Sequence, residues 1–172
     1  NWFDHSDSRH PRIRVGSIHI YNNYFDGNAK YGVGVTKGAS AFVESNYFNN
    51  NKSPMMSFLQ GTDAKGDGTF SGEAGGMIKA YNNKVVGASS LIYANSNAGT
   101  QSANAKSFDA YLAAKRAETV PSTYKTVSGG TVYNNFDTKY DLGVEESAIT
   151  AVENVPTVVK ATAGRMNGGD FK

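Results

Sequence analysis

One asparagine recurs along the first half of this chain at nearly constant spacing, and that repeat limits the fold more than any other feature. Asn1, Asn23, Asn46 and Asn83 are separated by 22, 23 and 37 residues, and the last interval equals one repeat plus an insertion. Repeats of this length are typical of solenoids, in which each unit stacks on the unit before it. The chain is therefore expected to stack short repeating units.

A strand pattern precedes the asparagine in three of the repeats. The apolar residues that alternate with other side chains there are Ile18 and Ile20, Ala41 and Val43, and Ile78 and Ala80. Alternation with a period of two predicts a strand with one buried face. Leucine-rich repeats have a similar length, but none of the four leucines of the chain occupies these strand positions. The pattern therefore favours an all-β fold, a partial parallel β-helix with coils of about 22 residues.

Stacked coils bring the repeated side chains into columns. We expect Asn23, Asn46 and Asn83 to form a hydrogen-bonded ladder that satisfies the amides of a sharp, buried bend. Two further columns should hold aromatic and apolar side chains beside the ladder. Their members are Trp2, Tyr24 and Tyr47, and Phe3, Phe25, Phe48 and Val85. We interpret all of these residues as structural.

The length of the chain predicts one domain over residues 1–172. The coils are assigned to residues 1–100, with an inserted loop at 59–76, and a C-terminal helix with its flanking segment is assigned to 101–172. The inserted loop contains closely spaced aspartates, but it lacks the ligand pattern of an EF-hand, so we interpret it as a turn.

Two short helices are predicted in the C-terminal region. Ser107–Glu118 has a helical pattern with Ser107 as a candidate N-cap, and a second pattern runs from Glu145 to Ala163 with an interruption at Pro156. This second segment should cover a flank or an end of the coils. Between the two predicted helices, residues 128–137 weakly match the repeat.

Charge and composition narrow the class of partner. A formal net charge of +2 suits an acidic polysaccharide but is far below the charge density of nucleic-acid binders. No apolar run approaches the roughly 20 residues that span a bilayer. The absence of cysteine excludes disulfides and thiolate metal sites. The three histidines, His5, His10 and His19, lack the paired spacing of a helical metal site.

The densest positive cluster holds Arg9, Arg12 and Arg14, with Pro11 among them, just before the strand at Ser17. Residues 4–25 resemble, over about twenty ungapped positions, the Arg-x-Pro-x-x-Arg-x-Gly stretch and the following His-x-Tyr-Asn-Asn-Tyr strand of the pectate lyase family. The resemblance implies the C-terminal part of a right-handed parallel β-helix enzyme that cleaves polygalacturonate. It also implies a secreted or periplasmic protein.

Site roles follow from this resemblance. Arg9 matches the arginine that abstracts the C5 proton of galacturonate, Arg14 matches one that binds the substrate carboxylate, and His10 is expected to line the cleft. Because arginine stays protonated in nearly all settings, nearby cations would have to lower its affinity for a proton. A calcium ion between the substrate carboxylate and acidic protein groups would stabilise the developing negative charge. In the family, the calcium ligands and a partner lysine precede this motif. We therefore expect them on an upstream part of the protein, either in the same chain or in a separate one.

Three functions stay open at this stage. The first is a calcium-dependent pectate lyase, and the second is a pectin lyase, which acts on methyl-esterified polymer without calcium. The third is a β-helix that binds polysaccharide without cleaving it, in which Arg9 and Arg14 would form a solvated basic strand edge.

Overall fold

The computed structural model describes residues 1–57, 75–125 and 143–164. Short strands dominate this part of the chain. In chain order they are β1 (Trp2–Asp4), β2 (Arg12–Arg14), β3 (Ser17–Tyr21), β4 (Tyr24–Asp26), β5 (Tyr31–Thr36), β6 (Ser40–Glu44), β7 (Tyr47–Asn49), β8 (Ser53–Met56), β9 (Met77–Tyr81), β10 (Lys84–Val86) and β11 (Tyr111–Leu112).

The strands form three parallel sheets with the orders β1-β4-β7-β10, β2-β5-β8 and β3-β6-β9-β11. Each of the first three coils contributes one strand to each sheet in turn, so that Phe3 pairs with Phe25 and Ile13 with Val35 one coil later. A fold in which every strand pairs with its equivalent in the next coil is a parallel β-helix. The predicted fold class is confirmed.

The predicted side-chain columns are present in the described coils. Inside the coil, the Phe3 and Phe25 rings stack at 5.0 Å between centroids, and Phe25 and Phe48 at 4.4 Å. On the outside of the same sheet, Trp2 stacks on Tyr24 at 6.4 Å. Phe25 and Phe48 are fully buried, so the inner column belongs to the core.

The asparagine ladder is also confirmed. Asn1 Nδ2 donates to Asn23 Oδ1 at 2.8 Å, Asn23 Nδ2 to Asn46 Oδ1 at 2.9 Å, and Asn46 Nδ2 to Asn83 Oδ1 at 3.1 Å. The backbone amides of Asn23 and Asn46 donate to the same side-chain oxygens of the following coil. Each ladder asparagine thus satisfies the bend of the coil beside it.

The predicted helix over Ser107–Glu118 is wrong. This segment instead supplies β11, which pairs in parallel with β9, and Ala113 N donates to Ala80 O at 2.9 Å. Phe108 and Tyr111 are buried against the outside of the same sheet, so the apolar residues that suggested a helix face cover strands. The edge of β9 offers hydrogen-bond partners to an extended segment, and this tertiary pairing outweighs local helix propensity.

A buried carboxylate fastens the C-terminal segment to the third sheet. Glu44, whose side chain is 1% exposed, accepts from His19 Nε2 at 2.8 Å and from Arg116 Nε at 2.7 Å. Arg116 also donates to the Val144 carbonyl at 2.9 Å. The Lys79 ammonium donates to the Arg116 carbonyl on the same side.

The second predicted helical region is helical, but its interruption is not where we expected it. Two 3₁₀ turns, Glu146–Ala148 and Val152–Asn154, precede one α-helix, α1 (Val155–Thr162). Pro156 lies in the first turn of α1. Because backbone N–H groups in the first turn make no hydrogen bond within the helix, a proline there costs none, and Pro156 begins the helix instead of interrupting it.

Helix α1 covers the outside of the first sheet. Val155 and Val159 are buried against Tyr24, with Tyr47 and Ala163 beside them. None of the helices in the described part is long and apolar enough to cross a membrane. Most of the insertion at 59–76 and the weak repeat match at 128–137 lie outside the described residues, and the assignment of residues 1–172 to one domain stays a prediction.

Candidate active site

The arginine segment spans the turn before β2 and β2 itself. Ile13, the middle residue of β2, packs against the core, so Arg12 and Arg14 on either side of it lie on the outer face of the sheet. Arg9 and Arg14 are exposed, and Arg12 is half-buried. The two arginines to which the resemblance assigns chemistry are therefore both accessible to a polymer.

Arg9 adopts a backbone conformation that favours glycine, with φ at 72°. The other described non-glycine residues with positive φ occupy turn positions that recur from coil to coil, and some of these positions hold glycine in other coils. Three such turn columns have positive φ: His5, Gly27, Asn50 and Gly87; Asn22, Ser45 and Asn82; and Val15 and Lys37. Arg9 belongs to none of them, so the coil geometry does not impose its conformation. Such a conformation costs a non-glycine residue roughly 1–3 kcal/mol, and it is found most often at functional sites.

Hydrogen bonds to the next coil hold the turn on both sides of Arg9. Before it, Lys30 N donates to Asp7 O at 2.9 Å. After it, His10 N donates to Gly32 O at 2.9 Å, and Gly34 N donates to Pro11 O at 2.9 Å. The surrounding structure thus fixes the backbone from which the Arg9 side chain projects.

The closest acidic residue in sequence, Asp7, is paired with a lysine. Lys30 Nζ lies 3.1 Å from Asp7 Oδ2. This hydrogen bond is the main reason that the pKa of Asp7 lies below its usual range, with a smaller effect from Arg9. Both side chains are well exposed, so the pair adds little stability. Sequence reasoning missed Lys30, whose only sign was its position one coil after the arginine segment.

His10 turns towards the inside of the coil. Its ring lies 4.8 Å from the Phe3 ring and 6.5 Å, edge-on, from the Phe25 ring. Burial, the largest influence, lowers the pKa of His10, against smaller opposing effects of the Tyr31 backbone and Asp7. That His10 binds substrate stays a prediction.

A cavity of about 480 Å³ opens at the end of the first coil. Phe3, His10, Ile18 and Ile20 contribute to its wall, and neither Arg9 nor Arg14 is among its described lining residues. The cavity is therefore lined by neighbours of Arg9, namely His10 and Pro11, and not by the two arginines themselves.

Calcium does not fit the described residues. Nowhere in residues 1–57, 75–125 and 143–164 do three or more His, Asp or Glu side chains come together as a metal site would require. Ca²⁺ takes six to eight oxygen ligands, and the carboxylate next to the arginine turn, Asp7, is engaged by Lys30. The described residues thus contain no cluster of acidic side chains that could hold calcium.

Comparison with known proteins shows which family this chain resembles. A family model described as pectate lyase matches residues 1–110. A pectate trisaccharide-lyase of Bacillus licheniformis is 43% identical over 58 residues, 34% of this chain and 17% of that protein. A probable pectate lyase A of Neosartorya fischeri is 31% identical over 97 residues, 53% of this chain and 30% of that protein.

Among solved structures, a pectate lyase double variant from Xanthomonas campestris is 26% identical, with a TM-score of 0.46, and the match covers 95% of this chain and 38% of that one. The chain thus matches less than a third of the length of either curated relative. Since the family model covers well over half of the 172 residues, the chain belongs to the pectate lyase family.

Proposed function

We propose that this chain is the arginine-bearing part of a pectate lyase, which cleaves polygalacturonate by β-elimination with Arg9 as the base. The observation that carries the proposal is the backbone of Arg9, held at φ 72° outside the recurring turn columns and within the family motif. A positive φ is energetically unfavourable for an arginine, and hydrogen bonds to the next coil hold Arg9 in it. Because such conformations are found most often at functional sites, the position of this exposed side chain suggests a function.

The proposed reaction has three changes at one sugar linkage. Arg9 removes the C5 proton, the electron pair of that C–H bond forms a double bond between C5 and C4, and the C4–O bond breaks. The departing oxygen takes a proton from solvent, and an unsaturated sugar end remains. Arg14 binds the substrate carboxylate, because a guanidinium can donate two parallel hydrogen bonds to it.

An arginine base must be neutral when it accepts the proton, because a protonated guanidinium has no acceptor atom. The acidic residue closest to Arg9 in sequence is Asp7, and Lys30 pairs with its carboxylate.

We propose that calcium binds to strands outside the described part of this chain. Among the described strands, β1, β2 and β3 each pair on one side only, so their other backbone edges can accept further strands. Those strands could belong to the upstream part of the protein or to a separate chain. Because the substrate is a large polymer, a secreted or periplasmic location is part of the same proposal.

The test is formation of unsaturated product from polygalacturonate by the full-length protein, followed by ultraviolet absorbance with and without calcium. Since a positioned base contributes 10²- to 10⁴-fold, Arg9→Ala should lower kcat by at least about 100-fold. Lys115→Ala, which removes one exposed cation elsewhere, is the matched control and should leave kcat unchanged. Full activity of Arg9→Ala would overturn the role of Arg9.

Two further outcomes identify the other functions. Faster cleavage of methyl-esterified polymer that persists with a chelator would indicate a pectin lyase. Binding of polygalacturonate by calorimetry without any product would indicate a polysaccharide-binding chain. Either result would replace the proposed activity.

A further inference from the structure

We propose that His10 is a positioning residue for Arg9, acting as a neutral imidazole of one tautomer at the end of a buried polar ladder formed by Ser6, Asn28 and Asn51. The inference rests on the proposed role of Arg9 as the base. It assigns to His10 a contact inside the coil that holds the arginine turn in place.

The ladder runs through three successive coils and ends at the histidine. Asn51 Nδ2 donates to Asn28 Oδ1 at 3.2 Å, and Asn28 Nδ2 donates to Ser6 Oγ at 2.8 Å. Ser6 Oγ in turn lies 2.9 Å from His10 Nε2. Asn28 and Asn51 are almost completely buried. The ladder is thus a second polar column, distinct from that of Asn23 and Asn46.

The carbonyl oxygen of Phe3 fixes the direction of the hydrogen bond between Asn28 and Ser6. Asn28 Nδ2 lies 3.1 Å from that oxygen, which can only accept. The Asn28 atom that faces Ser6 is therefore the amide nitrogen, and Ser6 Oγ accepts from it. The Ser6 hydroxyl can then donate its own proton to His10 Nε2. The proposal assigns this direction, in which a neutral His10 accepts at Nε2 and carries its proton on the buried Nδ1, an atom with no hydrogen-bond partner in the described part of the chain.

The surroundings of the ring favour this neutral form. Phe3 and Phe25 flank it, and burial lowers the pKa of His10. Asp7 is the charged group whose field raises that pKa, and Lys30 already pairs with it. If Nε2 were protonated, it would become a donor aimed at Ser6 Oγ, and the Ser6 hydroxyl would have to turn its proton to another acceptor.

A change in the His10–Ser6 contact would affect the neighbouring residue, Arg9. Its peptide link to His10 is anchored by the His10 N to Gly32 O bond, and its own φ of 72° is unfavourable without such support. The Ser6 contact fixes the His10 ring, and the ring fixes the turn. Loss of that contact should therefore displace the Arg9 side chain while leaving the coil folded.

Three variants separate the hydrogen bond from the packing. His10→Phe keeps a ring between Phe3 and Phe25 but has no acceptor, Ser6→Ala removes the donor, and His10→Gln supplies an acceptor that does not titrate. His5→Gln is the matched control, because His5 is an exposed histidine bonded to Asp4 outside the ladder.

The first readout is nitrogen NMR of the full-length protein and does not depend on activity. We expect His10 to be the Nδ1–H tautomer at pH 7, and we expect His10→Phe and Ser6→Ala, but not His5→Gln, to shift the Arg9 amide and guanidinium resonances. A protonated Nε2 at pH 7, or unchanged Arg9 resonances in both ladder variants, would overturn the proposal.

The second readout is turnover. His10→Phe should lower kcat about tenfold or more with KM within about twofold, and His10→Gln should recover most of kcat and shift the acid limb of the pH profile. Wild-type kcat in His10→Phe would overturn the positioning role. If the wild-type enzyme gives no product, the proposed function fails, and the NMR result still decides whether His10 positions Arg9.

Discussion

At the scale of single residues, Asn46 shows what the ladder contributes to stability. Its Nδ2 donates to the carbonyls of Ile20 and Glu44 and to Asn83, and its Oδ1 accepts from the amide and side chain of Asn23. Asn46→Ala would leave several of these groups buried without partners. We expect it to lower the free energy of unfolding by about 3 kcal/mol.

Asn83→Ala provides a graded comparison, because Asn83 is half-buried and belongs to the same ladder. Its loss should be about 1–2 kcal/mol, measured by urea denaturation under the same conditions. Equal losses for the two variants would show that burial does not determine what a ladder position contributes.

At the scale of elements, one carboxylate joins two strands to the C-terminal segment. Glu44 ends β6, His19 lies in β3, and Arg116 follows β11. Breaking a buried ion pair by removing one charge typically costs about 3–5 kcal/mol. Glu44→Gln should therefore destabilise the chain by about 3 kcal/mol, whereas Glu153→Gln, which breaks an exposed pair with Lys84, should cost less than about 1 kcal/mol.

The same carboxylate predicts how stability depends on pH. Burial alone would raise the pKa of Glu44, but the bonds from His19 and Arg116 outweigh burial and lower that pKa below its ordinary 4.5. The unfolded chain then binds the proton first, so this contribution is complete above the unfolded pKa and is lost as pH falls through the folded one. Denaturation at a series of pH values should show a weaker acid dependence in Glu44→Gln, and an unchanged slope would contradict the assignment.

Elements also differ in how far the sequence predicted them. The strands β3, β6 and β9 were predictable because alternation and the repeated asparagine agree there. β11 was not, because its two residues become a strand only by pairing with β9. The local sequence pattern around Tyr111 and Leu112 gives no sign of this pairing.

The candidate site, like the strands, was predictable from the sequence only in part. The motif singled out Arg9 and Arg14 as candidates because both lie in one short stretch of the sequence. The pairing of Asp7 with Lys30 and the Ser6 ladder arise only when coils stack. The spacings of 22 and 23 residues that link Ser6, Asn28 and Asn51 could have indicated that second ladder. That His10 lines the cleft stays a prediction, because the direction of a side chain is hard to predict beside a proline.

At the scale of the whole molecule, each coil contacts only its neighbours, so stability should vary along the coil axis. β6 has a parallel partner on each side, β3 and β9, whereas β1 pairs among the described strands with β4 alone. In the 172-residue chain, hydrogen exchange followed by NMR should be at least about tenfold slower for the amides of β6 than for those of β1, because opening an edge strand disrupts fewer contacts. Comparable protection of β1, β2 and β3 would contradict this gradient and would mean that further strands, from a second copy or another chain, pair along their edges.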